Sequence, residues 1–164
     1  MTEITLRAAT KSDAQTLSAI HEKSFPTYWN HEEFNNFFDV AGTHAFIAKV
    51  SATPSLTLPP LGGGESEAGM IVYRAQFEQA DIITLAVLPA CRRRGIANTL
   101  VKKALSHLSE LGAKGIFLDV EDGNAAALRL YESFGFAVQR RRKLYYRQKD
   151  GTYTDALVMQ KKIA

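Results

Sequence analysis

The stretch that decides the fold is residues 85–98, which read Leu-Ala-Val-Leu-Pro-Ala-Cys-Arg-Arg-Arg-Gly-Ile-Ala-Asn. An apolar run leads into a short basic loop, and Gly95 opens directly into a segment with helical periodicity. The start of a helix exposes backbone N–H groups and the positive end of the helix dipole, so it attracts anions. The three arginines add charge suited to a diphosphate. These residues by themselves predict a site for a phosphate-bearing ligand of any kind.

Hydrophobic periodicity and turn residues divide the rest of the chain into strands and helices. The helix after the basic loop has an apolar face and is closed by Gly112. The face comprises Leu100, Val101, Ala104, Leu105, Leu108 and Leu111. Capping-box patterns at residues 12–15 and 30–33 start two helices nearer the amino end, and Asn124 caps a fourth helix that stops at Gly135.

The predicted order of elements is β-α-α-β-β-β-α-β-α-β-β. It predicts an α/β (α+β) fold with a mixed central sheet of about seven strands flanked by about four helices. The last two strands flank a turn at Asp150-Gly151. The predicted strands cover residues 4–8, 44–50, 68–74, 81–87, 115–120, 136–142 and 155–160, and the predicted helices cover 12–23, 30–38, 96–111 and 125–134.

Length and composition indicate a single domain over residues 1–164. The chain has 46% apolar and 23% charged residues, which is ordinary for a globular enzyme, and its net charge of +3 is too mild to indicate nucleic-acid binding. No apolar run is long enough to span a membrane, and the amino end has no signal-peptide pattern. Because Cys91 is the only cysteine, no intramolecular disulfide can form, and we expect a reducing, cytoplasmic setting.

Residues 51–67 differ from the rest in composition. They contain Pro54, Pro59, Pro60 and a run of three glycines, with no periodicity, so we predict a long flexible excursion between two hairpin strands. Phosphate-binding glycines lie between a strand and the start of a helix. No helix is predicted after this run, which favours a linker.

Two motifs give the chain a resemblance to a known family. Arg92-x-x-Gly95-x-Ala97 resembles the cofactor motif of the GNAT acetyltransferases, and residues 124–136 resemble their second signature. Within that family the chain is most similar to the RimI type, the ribosomal-protein-alanine N-acetyltransferases. That similarity rests on residues 141–159 and on the aromatic segment 25–34, which precedes the second helix.

The resemblance implies acetyl-CoA as cosubstrate, with no metal. It implies that Leu85 and Val87 contact the acetyl-pantetheine arm through backbone groups, and that Asn124 also contacts the cofactor. The predicted cofactor-binding set is Leu85, Ala86, Val87, Arg92, Arg93, Arg94, Gly95, Ile96, Ala97, Asn98, Asn124 and Tyr131.

Acyl transfer to an amine requires a proton acceptor for the amine and a proton donor for the leaving thiolate. Tyr131 resembles the family's general acid. The RimI pattern has Glu where this chain has Asp119, which is one methylene shorter. Glu121 lies two residues on and faces the same side if the strand persists. Asp119 or Glu121, acting through water, is therefore the predicted base, and the alternative is that either one caps or salt-bridges the strand end.

The subfamily resemblance also suggests an acceptor site and a partner. Tyr28, Trp29, Tyr145 and Tyr146 are candidate walls of a peptide groove, with ordinary packing as the alternative. The expected acceptor is a protein N-terminus, the alanine of a small-subunit ribosomal protein. We expect no direct nucleic-acid or membrane partner, and a monomer or weak dimer. Two other functions stay open: acetylation of lysine side chains or small amines, and CoA binding without turnover.

Overall fold

The computed structural model describes residues 3–51 and 65–163. The elements are β1 Ile4–Ala9, α1 Ala14–Ser24, α2 His31–Asp39, β2 Thr43–Ser51, β3 Glu65–Gln76, β4 Gln79–Val87, α3 Ile96–Glu110, β5 Gly115–Glu121, α4 Ala125–Ser133, β6 Ala137–Arg147 and β7 Tyr153–Lys162. All described strands belong to one sheet with the order β1-β2-β3-β4-β5-β7-β6, and β4 pairs with β5 in parallel. This mixed sheet confirms the predicted fold class and the predicted order of elements.

The chain divides into two compact units. Unit 1 comprises Met1–Val72 and Thr84–Ala104, and unit 2 comprises Tyr73–Ile83 and Leu105–Ala164. Each has buried apolar side chains of its own. In unit 1 these include Leu17, Phe34, Ile47, Met70, Ile96 and Leu100, and in unit 2 they include Ile82, Leu108, Ile116, Leu118, Phe136 and Met159.

The first helix begins later than its sequence pattern predicts. Residues 11–13 form a single 3-10 turn, and α1 begins at Ala14. The reason lies in Asp13, whose carboxylate accepts a hydrogen bond from the Thr10 N–H at 2.8 Å and pairs with Arg7 at 3.0 Å. Thr10 therefore caps the 3-10 turn, and the residue at the N-cap position of α1 is Asp13 rather than Ser12. By contrast, α2 begins as predicted, because Asn30 and Glu33 form a reciprocal capping box.

Other boundaries also differ from the prediction. Ser51 belongs to β2 and residues 65–67 belong to β3, so the predicted excursion 51–67 is too wide, and its residues 52–64 lie outside the described part of the chain. Leu111 is 44% exposed, because α3 ends at Glu110 and the chain turns at Gly112 with φ +88°. Strands β6 and β7 are both longer than their patterns indicate.

The longer β6 is explained by an irregularity in its pairing with β7. Arg142 pairs with Ala156 and Tyr146 pairs with Thr154, so more residues of β6 than of β7 lie between these two pairs. Leu144, within this bulge, has φ +53°. A bulge interrupts the alternation of apolar and polar residues on which strand prediction depends. The turn at Asp150-Gly151 lies where the sequence places it, with Gly151 at φ +87°.

Candidate active site

The carboxyl end of β4 has free backbone groups on one edge. The β4–β5 ladder joins Gln79, Ala80 and Asp81 to residues 115–117, and β4 then continues to Val87 with no further β5 pairing among the described residues. On its other side β4 meets β3 closely at Gly69, where an added Cβ would lie 2.8 Å from the Ala86 carbonyl oxygen. Glycine at position 69 therefore allows β3 to approach the Ala86 peptide group closely, while the other edge of this part of β4 has no pairing with β5 among the described residues.

The basic loop follows within unit 1. The Leu88 N–H donates to the Ala68 carbonyl at 2.8 Å, and a 3-10 turn over Pro89–Cys91 then redirects the chain. Arg92 Nε donates to the Val87 carbonyl at 3.2 Å, which ties the loop back to the strand. All three arginines are exposed, and none forms an ion pair with a carboxylate in the described residues.

The start of α3 presents unused donors. Thr99 N–H is the first to bond into the helix, to the Gly95 carbonyl at 3.0 Å. Within the described chain, no hydrogen bond is made by the backbone N–H groups of residues 95–98. Gly95 has φ +80°, and an ideal Cβ on it would meet nothing within 4 Å. The glycine is thus required by backbone conformation, and the space beside it is open. These features fit a bound pyrophosphate.

Tyr131 lies in unit 2, near the end of α4. Asn124 begins this helix, its side-chain oxygen accepting from the Ala127 N–H at 3.2 Å, which leaves its amide group available as a donor. Tyr131 is 6% exposed and packs edge-on against Phe136, with ring centroids 5.6 Å apart. Burial, reinforced by Tyr146, raises the pKa of Tyr131 well above its usual range. The hydroxyl therefore keeps its proton near neutral pH.

The two candidate carboxylates have different neighbours. Asp119 Oδ1 lies 3.2 Å from Arg142 Nε, close enough for an ion pair, but these two buried atoms are not aligned for a hydrogen bond. Glu121 Oε1 accepts hydrogen bonds from Thr154 Oγ1 at 2.7 Å and from Gln148 Nε2 at 2.8 Å. Asp119 is thus occupied by a cation, whereas Glu121 is held by neutral donors.

Tyr145 and Tyr146 follow the β6 bulge and differ in exposure. Tyr145 is 48% exposed and stacks beside Arg142, whereas Tyr146 is half-buried. Burial raises the pKa of Tyr146 above its usual range, with further contributions from Asp119, Tyr145 and Glu121. The sequence-predicted residues Asp119, Glu121, Tyr131 and Tyr146 therefore interact electrostatically within unit 2.

The other two predicted wall residues belong to unit 1. Tyr28 is 45% exposed. The Trp29 ring stacks on His21 with ring centroids 4.6 Å apart, and the backbone N–H of Trp29 donates to His21 Nδ1 at 3.1 Å. Burial lowers the pKa of His21 to about 4. Trp29 thus packs within the α1–α2 aromatic cluster, and its face toward His21 is already covered.

Gln148, Thr154 and Arg142 are the residues that sequence reasoning missed. They reach the carboxylates only through the pairing of β6 and β7, which no local pattern specifies. The described residues contain no cluster of His, Cys, Asp and Glu suited to a metal ion. None of their helices is long and apolar enough to cross a membrane.

Comparison with known proteins places the chain in a family. Residues 14–136 match the model of the acetyltransferase (GNAT) family. The chain belongs to this GNAT family. It is 33% identical over 92 residues to the ribosomal protein bS18-alanine N-acetyltransferase of Escherichia coli, an alignment that covers 56% of this chain and 62% of that protein. The predicted family is confirmed.

Solved GNAT structures agree in fold. The E. coli ribosomal-protein-S18-alanine N-acetyltransferase superimposes with a TM-score of 0.82 at 23% identity, covering 99% of this chain and 95% of that one. Arabidopsis thaliana NAA60 in complex with acetyl-CoA gives a TM-score of 0.81 at 24% identity, covering 98% and 99%. The chain spans about three fifths of the length of the E. coli relative that it matches in sequence, 62%.

Proposed function

We propose that this GNAT protein transfers the acetyl group of acetyl-CoA to the N-terminal α-amine of a protein, and that its acceptor is the alanine of a small-subunit ribosomal protein. The observation that carries the acyl-donor part is the set of unused N–H groups at residues 95–98 beside three exposed arginines. The acceptor part is supported by the similarity to bS18-alanine N-acetyltransferases. The buried free thiol of Cys91 is compatible with a cytoplasmic setting.

Residues of unit 1 hold the donor in this proposal. The pyrophosphate is bound by Arg92, Arg93, Arg94 and the backbone of Gly95, Ile96, Ala97 and Asn98, whose N–H groups and helix dipole favour an anion. The peptide groups of Leu85, Ala86 and Val87 hold the pantetheine arm through their unpaired edge. In unit 2, the amide of Asn124 adds a contact. When bound, acetyl-CoA supplies the acetyl group as a thioester.

Residues of unit 2 move the protons. Tyr131 is the proposed general acid, because burial keeps its hydroxyl protonated until the proton is needed. Asp119 and Glu121 are the two candidate bases. An α-amine has a reference pKa of about 7.7–8.0, compared with about 10.4 for a lysine side chain. A carboxylate relaying through water therefore suffices for an N-terminus near neutral pH.

Three aromatic residues are the proposed acceptor contacts, and a fourth, Trp29, is proposed to support one of them. Tyr28 and Tyr145 are exposed enough to pack against a peptide, and Tyr146 lies beside the two carboxylates. Trp29 contributes indirectly, by fixing the segment that carries Tyr28 through its stacking on His21. We propose that the chain acts without a nucleic-acid or membrane partner, as a monomer or weak dimer.

A panel of peptides tests the proposal. Acetyl-CoA is offered with peptides beginning with Ala, the same peptides blocked at the α-amine, and peptides that carry an internal lysine. We expect product from free N-termini, with Ala preferred over bulky first residues. If only the blocked, lysine-bearing peptides are acetylated, the protein is instead a lysine acetyltransferase. If the protein binds CoA but acetylates no peptide, it is a CoA sensor.

A further inference from the structure

Glu121 lies at the end of β5 in a three-member hydrogen-bond network. Thr154 Oγ1 and Gln148 Nε2 both donate to its Oε1, and Gln148 Nε2 also donates to Thr154 Oγ1 at 2.9 Å. Both donors are neutral and half-buried. Because two donors share one oxygen, the carboxylate plane is fixed while Oε2 forms no hydrogen bond with any described residue. Oε2 is therefore available to a ligand.

The hairpin between β6 and β7 anchors the two donors. Gln148 N–H donates to the Thr152 carbonyl at 2.7 Å, and Gly151 N–H donates to the Gln148 carbonyl at 3.1 Å. Thr154 is within β7, directly opposite Tyr146. Gln148 and Thr154 are thus both held by backbone hydrogen bonds of the hairpin. Because their side chains hold Glu121 in one orientation, Glu121 loses little further conformational freedom when a substrate binds.

Strand register places the network and the predicted acceptor residues on one face. Glu121 pairs with Ala156 and Asp119 pairs with Val158, and Thr154, Ala156 and Val158 alternate onto the same side of β7. Tyr146 pairs with Thr154 and so shares that side. Glu121 therefore faces the region of Tyr146, consistent with its electrostatic effect on that phenol.

Asp119 faces the same region but is engaged differently. Its Oδ1 is within 3.2 Å of Arg142 Nε, and Arg142 also stacks beside Tyr145. Asp81 on β4 interacts electrostatically with both Asp119 and Arg142, as well as with Arg74. The negative charge of Asp119 thus balances a guanidinium in a cluster of charges. The ion pair between Asp119 on β5 and Arg142 on β6 therefore links these two strands.

We propose, building on the function proposed above, that Glu121 is the group that takes the proton from the acceptor amine, and that Thr154 and Gln148 are positioning residues that aim its Oε2. In this step an N–H bond of the substrate ammonium breaks and an O–H bond forms at Oε2, directly or through one water. The nitrogen lone pair is thereby released for attack on the acyl group. The proton passes to solvent when the product leaves.

The test compares pH–rate profiles of matched carboxylate variants, using acetyl-CoA and an Ala-initiated peptide. Glu121→Gln keeps an oxygen acceptor for Thr154 and Gln148, so the network and the fold are retained. We expect its turnover to fall about 100-fold near pH 7. The difference in turnover between Glu121→Gln and wild type should shrink to about tenfold or less at pH 9.5, because the α-amine is already neutral in solution there. Glu132→Gln, on the exposed side of α4, is the matched control and keeps the wild-type profile.

Asp119→Asn is expected to lower turnover by a smaller factor that does not change with pH, because it disturbs Arg142 rather than the proton acceptor. A larger loss than in Glu121→Gln, recovering at high pH, would make Asp119 the base and overturn the proposal. Equal losses in both variants that are independent of pH would also overturn it.

Thr154 gives a second readout that does not depend on removing a charge. Thr154→Val is nearly isosteric but lacks the hydroxyl, and we expect turnover to fall about tenfold while KM for acetyl-CoA is unchanged. Thr154→Ser restores the hydroxyl and should return turnover to within about threefold of wild type. Equal turnover in the Val and Ser variants would remove the positioning role.

The identity of the catalytic base can be tested separately from the identity of the amine that is acetylated. If the wild-type chain acetylates only lysine side chains, the proposed function fails, yet the comparison of Glu121→Gln with Asp119→Asn on that lysine peptide still identifies the base. If the wild-type chain acetylates none of the offered amines, both proposals are overturned.

Discussion

At the scale of single residues, Tyr131 is defined by packing and by an unused hydroxyl. The ring is buried against Phe136, and the hydroxyl makes no hydrogen bond with any described residue. Removing that oxygen therefore leaves no donor or acceptor of the described chain without its partner. Removing the hydroxyl while keeping the ring therefore tests the catalytic role of Tyr131 without changing its packing.

Replacing Tyr131 by Phe tests the general acid. We expect kcat to fall about 100-fold, because the leaving thiolate loses its proton donor. The free energy of unfolding should change by less than about 1 kcal/mol, and CoA affinity should fall by less than about tenfold, because the proposed pyrophosphate contacts are not altered. Steady-state kinetics, thermal unfolding and CoA titration measure the three quantities. Tyr153→Phe, at an exposed tyrosine, serves as the control, and an unchanged kcat in Tyr131→Phe would exclude the acid role.

His21 makes stability depend on pH. It is 4% exposed, and its Nδ1 accepts a hydrogen bond from Trp29 N–H, so burial and this bond both require the neutral ring. Burial lowers its pKa from 6.5 to about 4 in the folded state. Between these two values the unfolded chain binds more protons than the folded chain, so stability is full above pH 6.5 and is lost as pH falls toward 4.

We expect this histidine to contribute a loss on the order of 2 kcal/mol in the free energy of unfolding between pH 6.5 and pH 4. Urea unfolding at a series of pH values measures it. His21→Phe keeps a ring in the cluster and should flatten that part of the curve, whereas His31→Gln, at an exposed histidine, should not. The same slope in wild type and His21→Phe would contradict this origin.

Sequence alone could propose Tyr131, Asp119 and Glu121 as candidates because all three lie within or beside a local motif. It could not distinguish the two carboxylates. Their difference comes from Arg142, Thr154 and Gln148, which are distant along the chain and reach β5 only through strand register. Local periodicity indicates which face a side chain occupies, but not its neighbour across the strands.

At the scale of elements, the basic loop and the first turn of α3 depend on backbone conformation. Gly95 has φ +80°, and Gly112, at the other end of α3, has φ +88°; neither would place a Cβ against a neighbour. The two glycines are thus matched in conformation and in free space. Only Gly95 lies in the proposed pyrophosphate loop.

This pair gives a matched prediction. Gly95→Ala and Gly112→Ala should each destabilise the fold by about 1–2 kcal/mol, because a Cβ is disfavoured in the left-handed region. Only Gly95→Ala should weaken CoA binding, by about tenfold, as the helix N–H groups turn away from the phosphates. Calorimetric titration with CoA gives the affinity. Equal affinity in both variants would argue against a pyrophosphate site at this loop.

The β6 bulge is a second element with a testable role. Asp155 accepts a hydrogen bond from Leu144 N–H at 2.9 Å and pairs with Arg141 at 3.0 Å, and these contacts lower the pKa of its carboxyl. These contacts lie at the bulge, where Leu144 has φ +53°, immediately before Tyr145 and Tyr146.

We expect Asp155→Ala to raise KM for the peptide about fivefold or more, while the affinity for CoA stays unchanged, because the proposed acceptor residues lose their orientation. Asp150→Ala, which removes a carboxylate from the turn of the same hairpin, is the control. If the two variants have the same peptide KM, the bulge does not orient the acceptor residues.

Elements with strong local signals were predictable, and those shaped by distant contacts were not. The Asn30–Glu33 capping box begins α2 as predicted. The start of α1 was misplaced because Asp13 bonds to Thr10 and Arg7, which a local capping pattern centred on Ser12 does not show. β6 was cut short because its bulge breaks the alternation.

At the scale of the whole molecule, element order follows from the sequence but strand order does not. Each strand and helix has its own periodicity, so the succession of eleven elements could be read along the chain. The insertion of β7 between β5 and β6 is a non-local pairing, and no pattern within a strand names its neighbours. The order of elements was therefore enough to predict a mixed sheet, but not which strands are neighbours in it.

The central claim, transfer to a protein α-amine, is tested most directly by competition within one molecule. A peptide with a free N-terminal alanine and an internal lysine is incubated with limiting enzyme and acetyl-CoA near pH 7, and tandem mass spectrometry locates the acetyl group. The account predicts acetylation at the α-amine, with the lysine unmodified at early times. Acetylation at the lysine with a free α-amine would contradict it.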